Sequence, residues 1–121
     1  MCEKIAFLTT ELDLSTKEAQ EFWPVYNEYM KEIENAQKTI YVNYKALNEA
    51  IKEAKPEKEV AECLDKYLKA QEDKAELTTE SVKKFRKVLS EDKVAKLYLA
   101  EEKFRRNQIN RLHHNHGPQK K

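Results

Sequence analysis

The stretch STKEAQEFWPVYNEYMKEIENAQKTIYVNYKALNEAIKEA, residues 15–54, decides how the chain is read. Apolar or aromatic residues recur in it at Phe22, Tyr26, Tyr29, Ile33, Ala36, Ile40, Tyr44, Leu47 and Ile51. Steps of three and four follow the α-helical repeat of about 3.6 residues. No glycine interrupts the run before Lys55-Pro56. One amphipathic helix of about 40 residues is therefore expected, roughly 60 Å long at about 1.5 Å per residue. An elongated molecule is the expectation that follows.

The ends of this helix are written in its flanks. Ser15 reads as an N-cap with Glu18 three residues on, a capping box that supplies acceptors for otherwise orphaned backbone N–H groups. Pro24 lies too deep for a first-turn proline, so a kink is expected there. Lys55-Pro56 stops the helix because the residue before proline avoids α geometry. Pro56 then suits the first turn of the next helix, with Glu57 and Glu59 favouring its positive end.

That next helix is expected to run to about Val88 with a stripe of Val60, Leu64, Tyr67, Gln71, Ala75, Thr78, Val82, Phe85 and Leu89. Its middle is polar. Folding the two stripes about Pro56 gives an antiparallel hairpin that sets Tyr44 opposite Tyr67, Ile33 opposite Thr78 and Tyr29 opposite Val82. A short helix carrying Ile5, Leu8 and Leu12 precedes the hairpin, and Ser90 caps a last helix carrying Val94, Leu97, Tyr98, Phe104, Ile109 and Leu112. Both short helices are expected to pack at the Ser15/Ser90 end, around Phe22, Trp23, Tyr26, Phe85 and Tyr98. The fold class is all-α: an antiparallel hairpin of two long helices with short helices at the two chain ends. Residues 1–112 form one helical domain, and 113–121 read as a flexible basic tail containing histidines.

Two helices bury one stripe each and make a thin core. Met30, Tyr41 and Val42 lie off the main stripe, which points to a homodimer or a client surface there. Lys+Arg 23 against Asp+Glu 22 nearly cancel, so the charge balance supplies no overall drive toward nucleic acid or membrane. No run approaches about 20 consecutive apolar residues, so no membrane insertion is expected. The single glycine leaves no Gly-rich phosphate loop, which excludes nucleotide-driven action. Ser15, Ser81 and Ser90 read as caps or surface positions, and no paired carboxylates stand out for acid–base work. A non-enzyme without a cofactor is expected. Cys2 and Cys63 are expected to be free thiols.

Leu14-Ser15-x-x-Glu18 and Leu89-Ser90-x-x-Lys93 resemble degenerate copies of the LTxxQ motif of the Spy/CpxP family of bacterial envelope proteins. Residues 5–29, IAFLTTELDLSTKEAQEFWPVYNEY, resemble a branch common in Bacteroidetes-type sequences, often labelled as sensors linked to extracytoplasmic-function sigma factors. The resemblance covers residues 5 to about 112. Ser stands for Thr in both copies, and Glu18 and Lys93 stand for Gln. It implies a periplasmic protein whose export signal has been removed, folded as a cradle-shaped dimer of helical hairpins. It also implies a stress protein that binds unfolded or misfolded clients without ATP. A metal- or stress-responsive regulator and a purely structural adaptor are the alternatives.

Two clusters remain. His113, His114 and His116 suit Zn, Cu or Ni by residue type, against the plainer reading of incidental histidines in a basic tail. Lys103, Arg105, Arg106 and Arg111 surround Phe104, a pattern that can grip phosphate and stack a base. A solvated face with Glu101 and Glu102 nearby is the preferred reading, and no nucleic-acid partner is expected.

Overall fold

The computed structural model describes the backbone of residues 2–116 and the side chains of residues 3–112. The chain folds into four α-helices: α1 (Cys2–Leu12), α2 (Thr16–Lys52), α3 (Glu57–Phe85) and α4 (Glu91–His116). No strand occurs among the described residues. The fold is an all-α helical hairpin, as the periodicity requires.

Local chemistry sets each boundary. The chain leaves α1 through Asp13, whose φ of 51° is left-handed, and the Leu14 N–H donates back to the Thr9 carbonyl at 3.4 Å. Ala54 does the same after α2, with φ of 53° and the Lys55 N–H on the Ala50 carbonyl at 2.9 Å. These are Schellman-type ends, which satisfy helix carbonyls that have no partner within the helix. A chain whose one glycine lies at Gly117 makes them with Asp and Ala instead. Pro56 sits one position earlier than a first-turn proline: its carbonyl accepts from Glu59 and Val60, so it is the cap, and Glu57 is the first helical residue. At the C-terminal end, α4 continues through His116, past Leu112 where the sequence pattern fades.

The helices divide into two compact units, at Trp23–Pro24 and at Lys84–Phe85. Helix α2 is continuous through Pro24, so the proline marks the boundary without ending the helix. The first unit contains α1, the opening two turns of α2, Phe85 and the following turn, and α4. Its core is made by Leu8, Leu12, Phe22, Phe85, Leu89, Val94, Leu97 and Ala100, all buried. Phe22 packs on Phe85 with ring centroids 5.6 Å apart, and Phe85 meets Tyr98 edge-on at 6.3 Å. Of the expected cluster, Phe22, Trp23, Phe85 and Tyr98 belong to this unit with α1 and α4, and Phe22 meets Trp23 at 4.8 Å, whereas Tyr26 belongs to the second unit.

The second unit, residues 24–84, is the α2–α3 hairpin. Tyr26, Tyr29, Ala50, Ala70 and Ser81 are its buried residues. Tyr44 and Tyr67 meet at 6.3 Å, as the fold-back about Pro56 predicts. Lys74 Nζ donates to Gln37 Oε1 at 2.6 Å in the same register. Tyr29 departs from it. Its hydroxyl donates to Thr78 Oγ1 at 3.0 Å, one turn from the expected Val82.

The inner line of α3 also departs from the expected stripe. Cys63, Ala70 and Lys74 take inward positions, while Leu64, Gln71 and Ala75 are exposed. Both lines pass through Val60, Tyr67, Thr78 and Phe85, and each fits a helical period. Ala70 and Ala50 are buried, whereas Gln71 at an inward position would bring an amide into the seam. Gln71 Nε2 instead donates to the Tyr67 hydroxyl at 3.1 Å on the exposed side. Ser81, expected as a cap or surface residue, is buried, with its hydroxyl donating to the Thr78 carbonyl at 2.6 Å.

Candidate interaction surface

The two motif caps form as the sequence predicts and then meet. Ser15 Oγ accepts from the Glu18 N–H at 3.1 Å, and Glu18 Oε1 accepts from the Ser15 N–H at 2.9 Å. This is a complete capping box, with the Ser15 carbonyl taking the Ala19 N–H at 2.9 Å as the first helical bond. Ser90 does the same work for α4: its carbonyl takes the Val94 N–H at 2.9 Å, and its Oγ accepts a long 3.4 Å bond from Lys93. Leu14 is half-buried and Leu89 buried beside these caps.

Lys93 has no acceptor with which to close a box of its own. Its ammonium instead reaches the Asp13 carbonyl and Glu18 Oε1, both at 2.7 Å. The acid three residues after Ser15 and the base three residues after Ser90 therefore answer each other. One ammonium ties the C-terminal end of α1, where a positive charge is favoured, to the N-terminal carboxylate of α2. Lys93 is the first cause of the lowered Glu18 pKa, followed by the Ser15 backbone hydrogen bond.

The basic group on α4 is neutralised by the fold. Lys103 lies 3.5 Å from Glu11, Arg105 and Arg106 both bind Glu102, and Arg111 lies 2.9 Å from Glu3. The two guanidiniums hold the Glu102 carboxyl down to about 2, chiefly through the Arg105 hydrogen bonds. Phe104 packs on Phe7 at 5.5 Å, under Lys4, which also pairs with Glu101 at 3.0 Å. These side chains form an internally paired face. The side chains of His113, His114 and His116 lie outside the described residues, as does that of Cys2. Among the described residues no cluster of three metal-binding side chains occurs, and Cys63 is a free, half-buried thiol.

The surface of interest lies on the hairpin. Six large apolar side chains of the second unit stand substantially in solvent: Tyr41 58%, Val42 63%, Tyr44 50%, Ile51 62%, Leu64 42% and Leu68 46% exposed. At about 100° per residue, Tyr41, Tyr44 and Ile51 project to one side of the α2 seam. Leu64 and Leu68 project to the same side from α3, because the two helices are antiparallel. The Tyr41 and Tyr44 rings stack at 6.4 Å and 20°, and Tyr44 passes the contact on to Tyr67. Lys45 Nζ sits 5.5 Å over the Tyr41 ring. The opposite face is a shallow polar groove lined by Thr39, Asn43, Asp65, Lys66, Lys69 and Asp73 around Ala70. The hairpin thus carries five of these six side chains on one face, with Val42 set apart from them and a polar groove opposite.

Of the three positions singled out from the sequence, Tyr41 belongs to the apolar face. Met30 is half-buried, and Val42 is exposed but turned about 100° away from Tyr41. The sequence stripes place Tyr44, Ile51 and Leu64 inward and leave Leu68 out, whereas all four are exposed. The signal for the last two was their spacing of four beside Tyr67, which makes a second apolar line next to the seam. No described helix is long and apolar enough to cross a membrane. The chain matches no protein-family profile, no curated protein and no solved structure.

Proposed function

We propose that this chain is a bacterial envelope-stress protein of the periplasm that holds unfolded or misfolded clients without ATP and without catalysis. It works as a homodimer in this reading. The one-sided exposure of Tyr41, Tyr44, Ile51, Leu64 and Leu68 carries the proposal. Unfolded chains present scattered apolar groups, and a flat face of aromatic and branched side chains takes them up with little demand for sequence. Lysines and carboxylates around the face add long-range attraction for chains of either charge. The resemblance of the Ser15 and Ser90 motifs to the LTxxQ motif supports the same reading, and supplies its envelope location.

The test is light scattering from an aggregating, chemically denatured client with increasing amounts of the chain. Suppression near stoichiometric ratios is expected. Replacing Tyr41 and Leu68 together by serine should weaken it several-fold with helicity unchanged, since both side chains are already largely in water. A full-length chain that leaves aggregation untouched at several-fold excess overturns the proposal.

A further inference from the structure

The apolar face of the hairpin is bordered by charge of opposite sign on its two edges. Lys38, Lys45 and Lys52 recur at intervals of seven along the outer edge of α2, and Asp65 and Glu72 lie seven apart along the outer edge of α3. All five are exposed, and none is in an ion pair within the described residues. The observed register sets their heights: Tyr44 lies opposite Tyr67, and Gln37 opposite Lys74. Lys38 is then level with Glu72, and Lys45 with Asp65, within one residue or about 1.5 Å. At each level a base stands on one side of the face and an acid on the other.

We propose that this face takes one amphipathic α-helix of its client, laid along the hairpin over Tyr41, Tyr44, Leu64 and Leu68, with acidic side chains toward α2 and basic side chains toward α3. That the helix belongs to a client rests on the client-holding reading; the docking of a helix does not. Packing favours a helical ligand. A hairpin buries one stripe of each helix, and a third helix over the open side completes a three-helix core.

The spacing of the charges favours it too. Each row repeats every seven residues, or about 10.5 Å. In a helical client, residues seven apart lie on one face at that same spacing, so a row of acids stays on the lysine edge throughout. In an extended client the same distance spans about three residues at roughly 3.3 Å each, and side chains three apart point to opposite sides. An extended segment therefore cannot serve successive lysines from one edge. The patch from Gln37 to Ile51 is about 20 Å long, which fits about four turns of helix. Chains that keep helices but have lost tertiary packing expose such apolar stripes, and they are the class of client this face selects. Because the edges differ in sign, charge also fixes the direction in which the helix lies.

Fluorescence anisotropy of dye-labelled synthetic peptides with the full chain tests this. The reference peptide is an amphipathic helix of about 18 residues with glutamates on one flank of its apolar stripe and lysines on the other. One control mixes the same charges over both flanks, and another carries a central proline that breaks the helix. The reference should bind several-fold tighter than the first control and at least about ten-fold tighter than the second. Lys38→Glu/Lys45→Glu should weaken it several-fold. Adding Asp65→Lys/Glu72→Lys should restore it, because the peptide then lies in the reverse direction on inverted edges. All four side chains are exposed, so helicity by circular dichroism should stay that of the wild type. A reference peptide bound no better than either control overturns the proposal, as does a double variant that binds like the wild type or a quadruple variant that stays weak. A chain that suppresses client aggregation yet ignores all three peptides removes this inference and leaves the client reading standing. A chain that selects the reference peptide but leaves aggregation untouched does the reverse.

Discussion

At the scale of single residues, the helix ends carry the most readable physics. Ser15 and Ser90 are legible because a cap is satisfied by groups three residues away, so the whole interaction lies within one short stretch. The Lys93–Glu18 bridge is not legible in that way, because its partners are 75 positions apart and only tertiary folding brings them together. Glu18 has a folded-state pKa below its ordinary value. Its contribution to stability is therefore fully present above the carboxylate range and is lost as pH falls through that range. Glu18→Gln is expected to lower the melting temperature at neutral pH and to converge with the wild type in acid, as read from thermal unfolding across pH. A constant offset at every pH would show that the charge is idle. Ala54 offers the opposite kind of site, since its left-handed φ is costly for a residue with a Cβ. Ala54→Gly should stabilise the chain by about 1 kcal/mol in urea unfolding, because glycine adopts that conformation freely.

At the scale of elements, the four helices and their antiparallel connection follow from periodicity and breakers, and both appear in the structure. The face of α3 was harder to read. Two lines of residues fit the helical period equally well, and only tertiary packing chooses between them. Tyr44 against Tyr67 was legible because both lines contain Tyr67. Ala70 against Gln71 was not, because a helical stripe is marked by large apolar side chains and the residue buried there is an alanine. This assignment predicts that Ala70→Leu overpacks the seam and costs about 1–3 kcal/mol. The neighbouring Gln71→Leu, on the exposed side, should change urea stability by less than about 0.5 kcal/mol. Equal costs at the two positions would return Gln71 to the seam. The exposed line of Leu64 and Leu68 belongs to the same ambiguity. What the period offered as core, the structure leaves as surface.

At the scale of the whole molecule, burial is unevenly divided. The first unit fully buries Leu8, Leu12, Phe22, Phe85 and Leu97, whereas the second buries Tyr26 and Tyr29 and otherwise relies on two alanines and a serine. Local opening is cheapest where few apolar contacts oppose it. The segment that carries the apolar face is therefore also the least secured, which suits the proposed uptake of varied clients. Amide hydrogen exchange makes this measurable. Residues 5–12 and 94–104 should exchange slowest, and residues 40–52 and 57–68 markedly faster. Phe85→Ala removes the ring that packs on Phe22 and Tyr98 and should cost about 3–5 kcal/mol. In that variant exchange should accelerate most in α1 and α4, drawing their protection down toward that of the hairpin. If the hairpin instead matches the first unit in protection before the substitution, the chain opens as one cooperative block. The apolar face is then rigid, and clients must fit it rather than reshape it.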